Sequence, residues 1–167
     1  MTQSFRTKRL TESALMIALS TILSFIVLFR LPFGGSITPC CMLPVILIAY
    51  RYGTKWGLCT CFAFSLIQGI QGIAEGTFTA AALGVENGVF NGGFFSGSPL
   101  LASFGIFLLD YVVAFTVLGF GGMFRNKIKN KPLSLVCGIL VAGLFRYIAH
   151  VISGAIFFVE MWVDWVT

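Results

Sequence analysis

Asp110, Arg146 and His150 are the residues of this chain best suited to chemistry, and all three sit inside apolar runs long enough to cross a bilayer. A charged side chain at the middle of a membrane helix costs on the order of 2.5 to 3.5 kcal/mol on insertion scales, so such groups pair, line a cavity or bind something. Arg146 and His150 are four residues apart, which puts them on one helix face, one turn apart. Tyr147 is rotated by about 100° from Arg146. Ser153 and Gly154 continue the His150 stripe with small residues that let a helix or a ligand approach. Asp110 and Tyr111 stand together in the preceding apolar run.

A carboxylate, an imidazole and aromatic rings suit a flat, cationic, nitrogen-rich heterocycle. The competing reading is an ion pair between Asp110 and Arg146 that only fastens two helices together. A hydrolase is not assembled: there is a single His, no Gly-x-Ser-x-Gly elbow, no His-Glu-x-x-His zinc helix and no Gly-x-x-x-x-Gly-Lys-Ser/Thr phosphate loop. Cys40, Cys41, Cys59, Cys61 and Cys137 lack the paired Cys-x-x-Cys spacing of a zinc site, so neither a metal nor a cofactor is expected.

The elements that must position these residues follow from composition. The chain is 57% hydrophobic and 10% charged, with a mean hydropathy of +0.95, against about 25% charged residues in a soluble domain. It reads as a single all-α integral membrane domain over residues 1–167, without the alternating ten-residue segments of an outer-membrane barrel. Five spans are predicted, at about 13–29, 37–50, 56–73, 102–124 and 133–158, with a long outer loop over 74–101 that carries a short helix over 79–83. Pro39 and Pro44 predict a second span that is kinked or re-entrant at its start. No cleavable signal peptide is expected.

Orientation follows from the basic residues. With the N-terminus inside, Arg6, Lys8, Arg9, Arg51, Lys55, Arg125, Lys127, Lys129 and Lys131 are cytoplasmic and Arg30 alone is outside. The net charge of +5 therefore marks a membrane face, not a nucleic-acid site. Glu75, Glu86, Glu160 and Asp164 fall outside, where they either attract a cation or merely solubilise loops. In the first span Ala14 and Ala18 form a small-x-x-x-small pair, suited to close packing with a helix of the same bundle or of a partner.

Several segments, in order, carry a resemblance. They are Leu10-Thr11-Glu12 with Ala14-x-x-x-Ala18; Leu43-Pro44 leading to Arg51-Tyr52-Gly53 and Gly57; Leu109-Asp110-Tyr111 with Leu118-Gly119 and Gly122-Met123-Phe124; and Arg146-Tyr147-Ile148-Ala149-His150-Val151-Ile152-Ser153-Gly154. Through them the chain resembles the substrate-binding subunits (S components) of energy-coupling factor (ECF) vitamin transporters, most closely the thiamine-specific branch. The resemblance implies a six-helix bundle in the bacterial cell membrane, thiamine captured near the outer face, and docking through Ala14 and Ala18 to a transmembrane coupling protein driven by two ATPases.

Carried over by position, Asp110 stands where the family has a ligand-binding Glu, while Tyr111 and His150 match a Tyr and a His of its site. Tyr147 and Phe158 are expected beside them, Phe158 in place of a ring-stacking Trp, and Arg146 is expected to be structural or to serve a secondary site. Gly35 aligns with another aromatic residue of the family, and the longer outer loop offers Phe94 or Phe95 as replacements. Five spans are found against the family's six, so the last helix, with a further Tyr and Asn, is expected to be missing. The alternatives are an S component for another vitamin, or a structural or regulatory membrane subunit with no ligand. On either reading no enzyme is expected.

Overall fold

The computed structural model describes residues 2–27, 29–30, 36–37, 40–74 and 104–157. The predicted outer loop beyond Ala74, its short helix, Phe94, Phe95, Gly35, Phe158 and the acidic residues Glu75, Glu86, Glu160 and Asp164 lie outside the described residues.

Helix α1 runs Thr2–Phe25, so it begins before the predicted span and stops short of its end. Hydropathy misses the early start because Arg6, Lys8, Arg9 and Glu12 are polar yet are good helix formers. The Thr11 hydroxyl donates to the Thr7 carbonyl at 2.9 Å, satisfying itself within the helix. After α1, Phe29–Arg30 (β1) pairs antiparallel with Ser36–Ile37 (β2).

Helix α2, Leu43–Tyr52, starts well inside the predicted second span. Pro44 falls in its first turn, where a missing N–H costs no hydrogen bond. Its end is fixed by Gly53, whose φ of 93° suits glycine and whose N–H donates to Ala49 O at 2.9 Å. Helix α3 follows at once, Thr54–Ala74, then α4, Phe104–Gly122, and α5, Lys131–Phe157. Helices α3, α4 and residues Lys131–Ile156 of α5 are each long and apolar enough to cross a bilayer. Leu15, Ile70 and Leu140 are among the large apolar side chains left exposed, as lipid-facing surfaces require. This is an all-α helical membrane protein.

Helix α4 is not uniform. It is π-helical over Phe107–Val113, α-helical over Ala114–Thr116 and 3₁₀ over Val117–Gly122. Single π turns inside helices occur frequently at functional sites, and this one holds Asp110 and Tyr111. The 3₁₀ stretch packs against α2, α3 and α5 at the middle of the bundle. The core lies there, with Val45, Ile46, Cys61, Phe64, Phe115, Leu118 and Ala142 buried together, and Phe64 meeting Phe115 edge-on at 5.4 Å between centroids.

Helix α1 is fastened to α2 and α3 by polar contacts on one face. Ser13, Ser20 and Ser24 are buried; Trp56 Nε1 donates to Ser13 Oγ at 2.9 Å, and Ser24 Oγ donates to Gln71 Oε1 at 2.8 Å. At one end the Tyr52 hydroxyl donates to Glu12, Arg51 Nε lies 3.3 Å from the same carboxylate, and the Arg9 and Arg51 guanidinium groups lie over the Tyr52 ring. Ala14 and Ala18 are left exposed by this rotation of α1.

Candidate ligand-binding site

Asp110 lies in the first two turns of α4, and His150 and Ser153 lie in the last two of α5. The two helices therefore bring these residues to the same end of the bundle. His150 Nδ1 is 2.8 Å from Asp110 Oδ1, and Ser153 Oγ donates to Asp110 Oδ2 at 2.9 Å. Both carboxylate oxygens are thus held by one helix. A hydrogen bond from Nδ1 to a carboxylate requires the proton on Nδ1, which leaves His150 Nε2 for another partner. The Asp110 side chain is 18% exposed and that of His150 40%, so the pair is reachable from outside the core.

Tyr111 is adjacent in sequence but turns toward α3. A methyl placed on Gly72 would overlap the Tyr111 hydroxyl and sit 2.8 Å from its ring carbon Cε1, so the glycine makes room for the ring. Phe107, Tyr111 and Phe115 stack along α4, with centroids 6.3 Å apart at each step and interplanar angles of 19° and 25°. The ladder packs against α3, where Phe107 meets Gly69 and Phe115 meets Phe64, while the Asp110 carboxylate meets α5.

Arg146 is at the foot of the ladder. Its guanidinium lies 4.0 Å from the centroid of the Phe115 ring, and its Nη1 is buried with no hydrogen-bond acceptor among the described residues. The predicted alternative of an Asp110–Arg146 ion pair is not formed. Among the described residues the ion pairs are Glu12–Arg51 and Asp110–His150. The reason is the level of each group: Arg146 is one turn back from His150 and so stands beside Phe115, while His150 and Ser153 stand beside Asp110.

Tyr147 is not brought to this cluster. It is 66% exposed, as its rotation of about 100° from Arg146 requires once Arg146, His150 and Ser153 face α4. Phe158 lies outside the described residues. Among the described residues no three His, Cys, Asp or Glu side chains are grouped to hold a metal, and no disulfide joins the cysteines, of which Cys41 and Cys61 are buried. Sequence reasoning missed two features. In the sequence Ser153 has the pattern of a small packing residue, and the four-residue spacing of Phe107, Tyr111 and Phe115 is the available signal for the ladder.

The family described as Thiamine transporter protein (Thia_YuaJ) matches residues 10–83 and 73–163. The curated protein "Thiamine transporter ThiT" of Bacillus subtilis (strain 168) is 33% identical over 169 aligned residues, covering 95% of this chain and 74% of that protein. No solved structure matches. A match over almost the whole length, through the helices that carry Asp110, His150 and Ser153, places this membrane protein in the thiamine transporter protein family.

Proposed function

We propose that this chain is the substrate-binding membrane subunit of an ECF-type importer in the bacterial cell membrane, and that thiamine is its substrate. The observation that carries the reading is the Asp110 carboxylate, held by His150 and Ser153 yet still 18% exposed, in a chain of the thiamine transporter family. Thiamine bears a permanent positive charge on its thiazolium ring and hydrogen-bonding nitrogens on its pyrimidine. A carboxylate in a low-dielectric setting provides the counter-charge, and His150 Nε2 provides a hydrogen-bonding group beside it. Tyr111 and Phe158 are proposed as aromatic contacts of the ligand. Tyr147, exposed on the other side of α5, is left out of the contact set.

The subunit binds and releases its substrate without chemistry, and requires no cofactor. With the N-terminus inside, the exposed Ala14 and Ala18 provide a close-packing stripe for the membrane-embedded coupling protein, which two ATPases drive. The reading is tested by uptake into vesicles that hold the chain together with the coupling protein and the ATPases. Accumulation of thiamine only when ATP is inside the compartment holding the ATPases is the expected result; no accumulation above vesicles lacking this chain would refute it.

A second reading, a structural subunit with no ligand, is favoured by one observation: α5 engages both Asp110 oxygens, as a helix clasp would. It expects Asp110→Ala to lower the melting temperature and thiamine to leave the melting of the unmodified protein unchanged. The importer reading expects thiamine to raise that melting temperature, because a ligand that binds only the folded state stabilises it.

A further inference from the structure

We infer that Ser153 is a positioning residue of the site: its hydroxyl fixes the plane of the Asp110 carboxylate, and it acts on the ligand only through that carboxylate. The inference rests on the reading of Asp110 as the counter-charge of thiamine. It starts from what His150 leaves undone. A single donor on Oδ1 holds one oxygen but leaves the terminal torsion of an aspartate soft, because such sp³–sp² torsions have broad minima. A second donor on Oδ2, projected from the same helix three residues later, fixes that torsion.

Hydroxyls in this chain divide between local donors and a few, Ser24 among them, that reach across to another helix. Thr11, Thr21 and Thr60 donate to the carbonyl four residues back, and Ser65 to the one three back, each within its own helix. Ser153 instead donates across to α4. It is fully buried, at 0% exposure, so its hydroxyl is spent inside the protein and is not offered to a ligand. Gly154 beside it has nothing among the described residues within 4 Å of where a Cβ would stand.

Removing the hydroxyl while keeping the site otherwise intact separates positioning from packing. In Ser153→Ala, thiamine affinity is expected to fall by about tenfold, the low end for a hydrogen bond to a charged group. The melting temperature of the ligand-free protein should fall by a few degrees, because a buried donor to the carboxylate is lost, and Ser153→Thr, which keeps the donor, should recover most of the affinity. The decisive readout needs no ligand. The infrared carboxylate band that disappears in Asp110→Asn is expected to shift in Ser153→Ala and to return toward its original position in Ser153→Thr. An unshifted band in Ser153→Ala overturns the inference, as does a loss of affinity that Ser153→Thr shares at the same melting temperature. If the unmodified protein binds no thiamine, the importer reading falls and the affinity half of this inference falls with it. The band still decides whether Ser153 positions Asp110.

Discussion

Exchanging Arg146 for Met should stabilise the protein, against the usual rule that removing a buried charged side chain does damage. The guanidinium lies within the apolar part of α5, where insertion costs about 2.5 to 3.5 kcal/mol. Its contact with Phe115, at 4.0 Å from the ring centroid, returns about 2 kcal/mol at a desolvated site. With Nη1 buried and lacking an acceptor among the described residues, no charge-assisted hydrogen bond from them at that atom makes up the difference, and a net cost of about 1 kcal/mol remains. Met has a similar length, carries no charge, and its thioether regains about 0.3 to 1.5 kcal/mol on the same ring.

The expected gain is therefore about 1.3 to 2.5 kcal/mol, and at about 2 to 4 °C per kcal/mol for a chain of this size it raises the melting temperature by roughly 3 to 10 °C. Melting in detergent can be followed with a maleimide dye, because Cys41 and Cys61 are buried at 3% and 0% exposure and become reactive on unfolding. Arg146→Ala should melt below the unmodified protein, since it loses the ring contact and leaves a void. A Met variant that melts several degrees lower would refute the reasoning and show that the charge has a partner that holds it in place.

Three further outcomes follow from the packing. Gly72→Val should displace Tyr111 from α3 and destabilise the fold by about 1 to 3 kcal/mol as an overpacked contact, measured as a lower melting temperature together with weaker thiamine binding. Charge exchange in the double variant Asp110→Arg with Arg146→Asp should not restore the melting temperature lost by either single change, because the two residues are not paired with each other; full recovery would show that they are. Ala14→Leu with Ala18→Leu should leave thiamine affinity unchanged and abolish co-purification with the coupling protein, since both positions are exposed on α1; unaltered co-purification would remove this face from the proposed interface.

The cost of burying charge made Asp110 and His150 legible in the sequence before any fold was known, and the structure brings them into contact. The same spacing that puts Arg146 on the His150 face does not say which residue of α4 stands at its level, and axial level is set by how the two helices cross. Hence the ion pair expected as an alternative gave way to a cation–π contact with Phe115. Ser153 was hidden for a different reason: a serine in a stripe of small residues has the same pattern whether it packs or donates. The π turn over Phe107–Val113 is equally silent, because an apolar run of this kind carries no period that separates it from an α-helix. The early start of α1 escapes hydropathy for want of apolar residues, and the late start of α2 has Pro44 in its first turn.

The most direct measurement is a calorimetric titration of thiamine into the purified chain, run beside Asp110→Ala. The expected result is saturable binding by the unmodified protein and a loss of about 30-fold or more in the variant, equivalent to about 2 to 3 kcal/mol for a charge-assisted contact. No heat of binding at millimolar thiamine, or equal affinity in Asp110→Ala, would contradict the assignment of this carboxylate as the ligand's counter-charge.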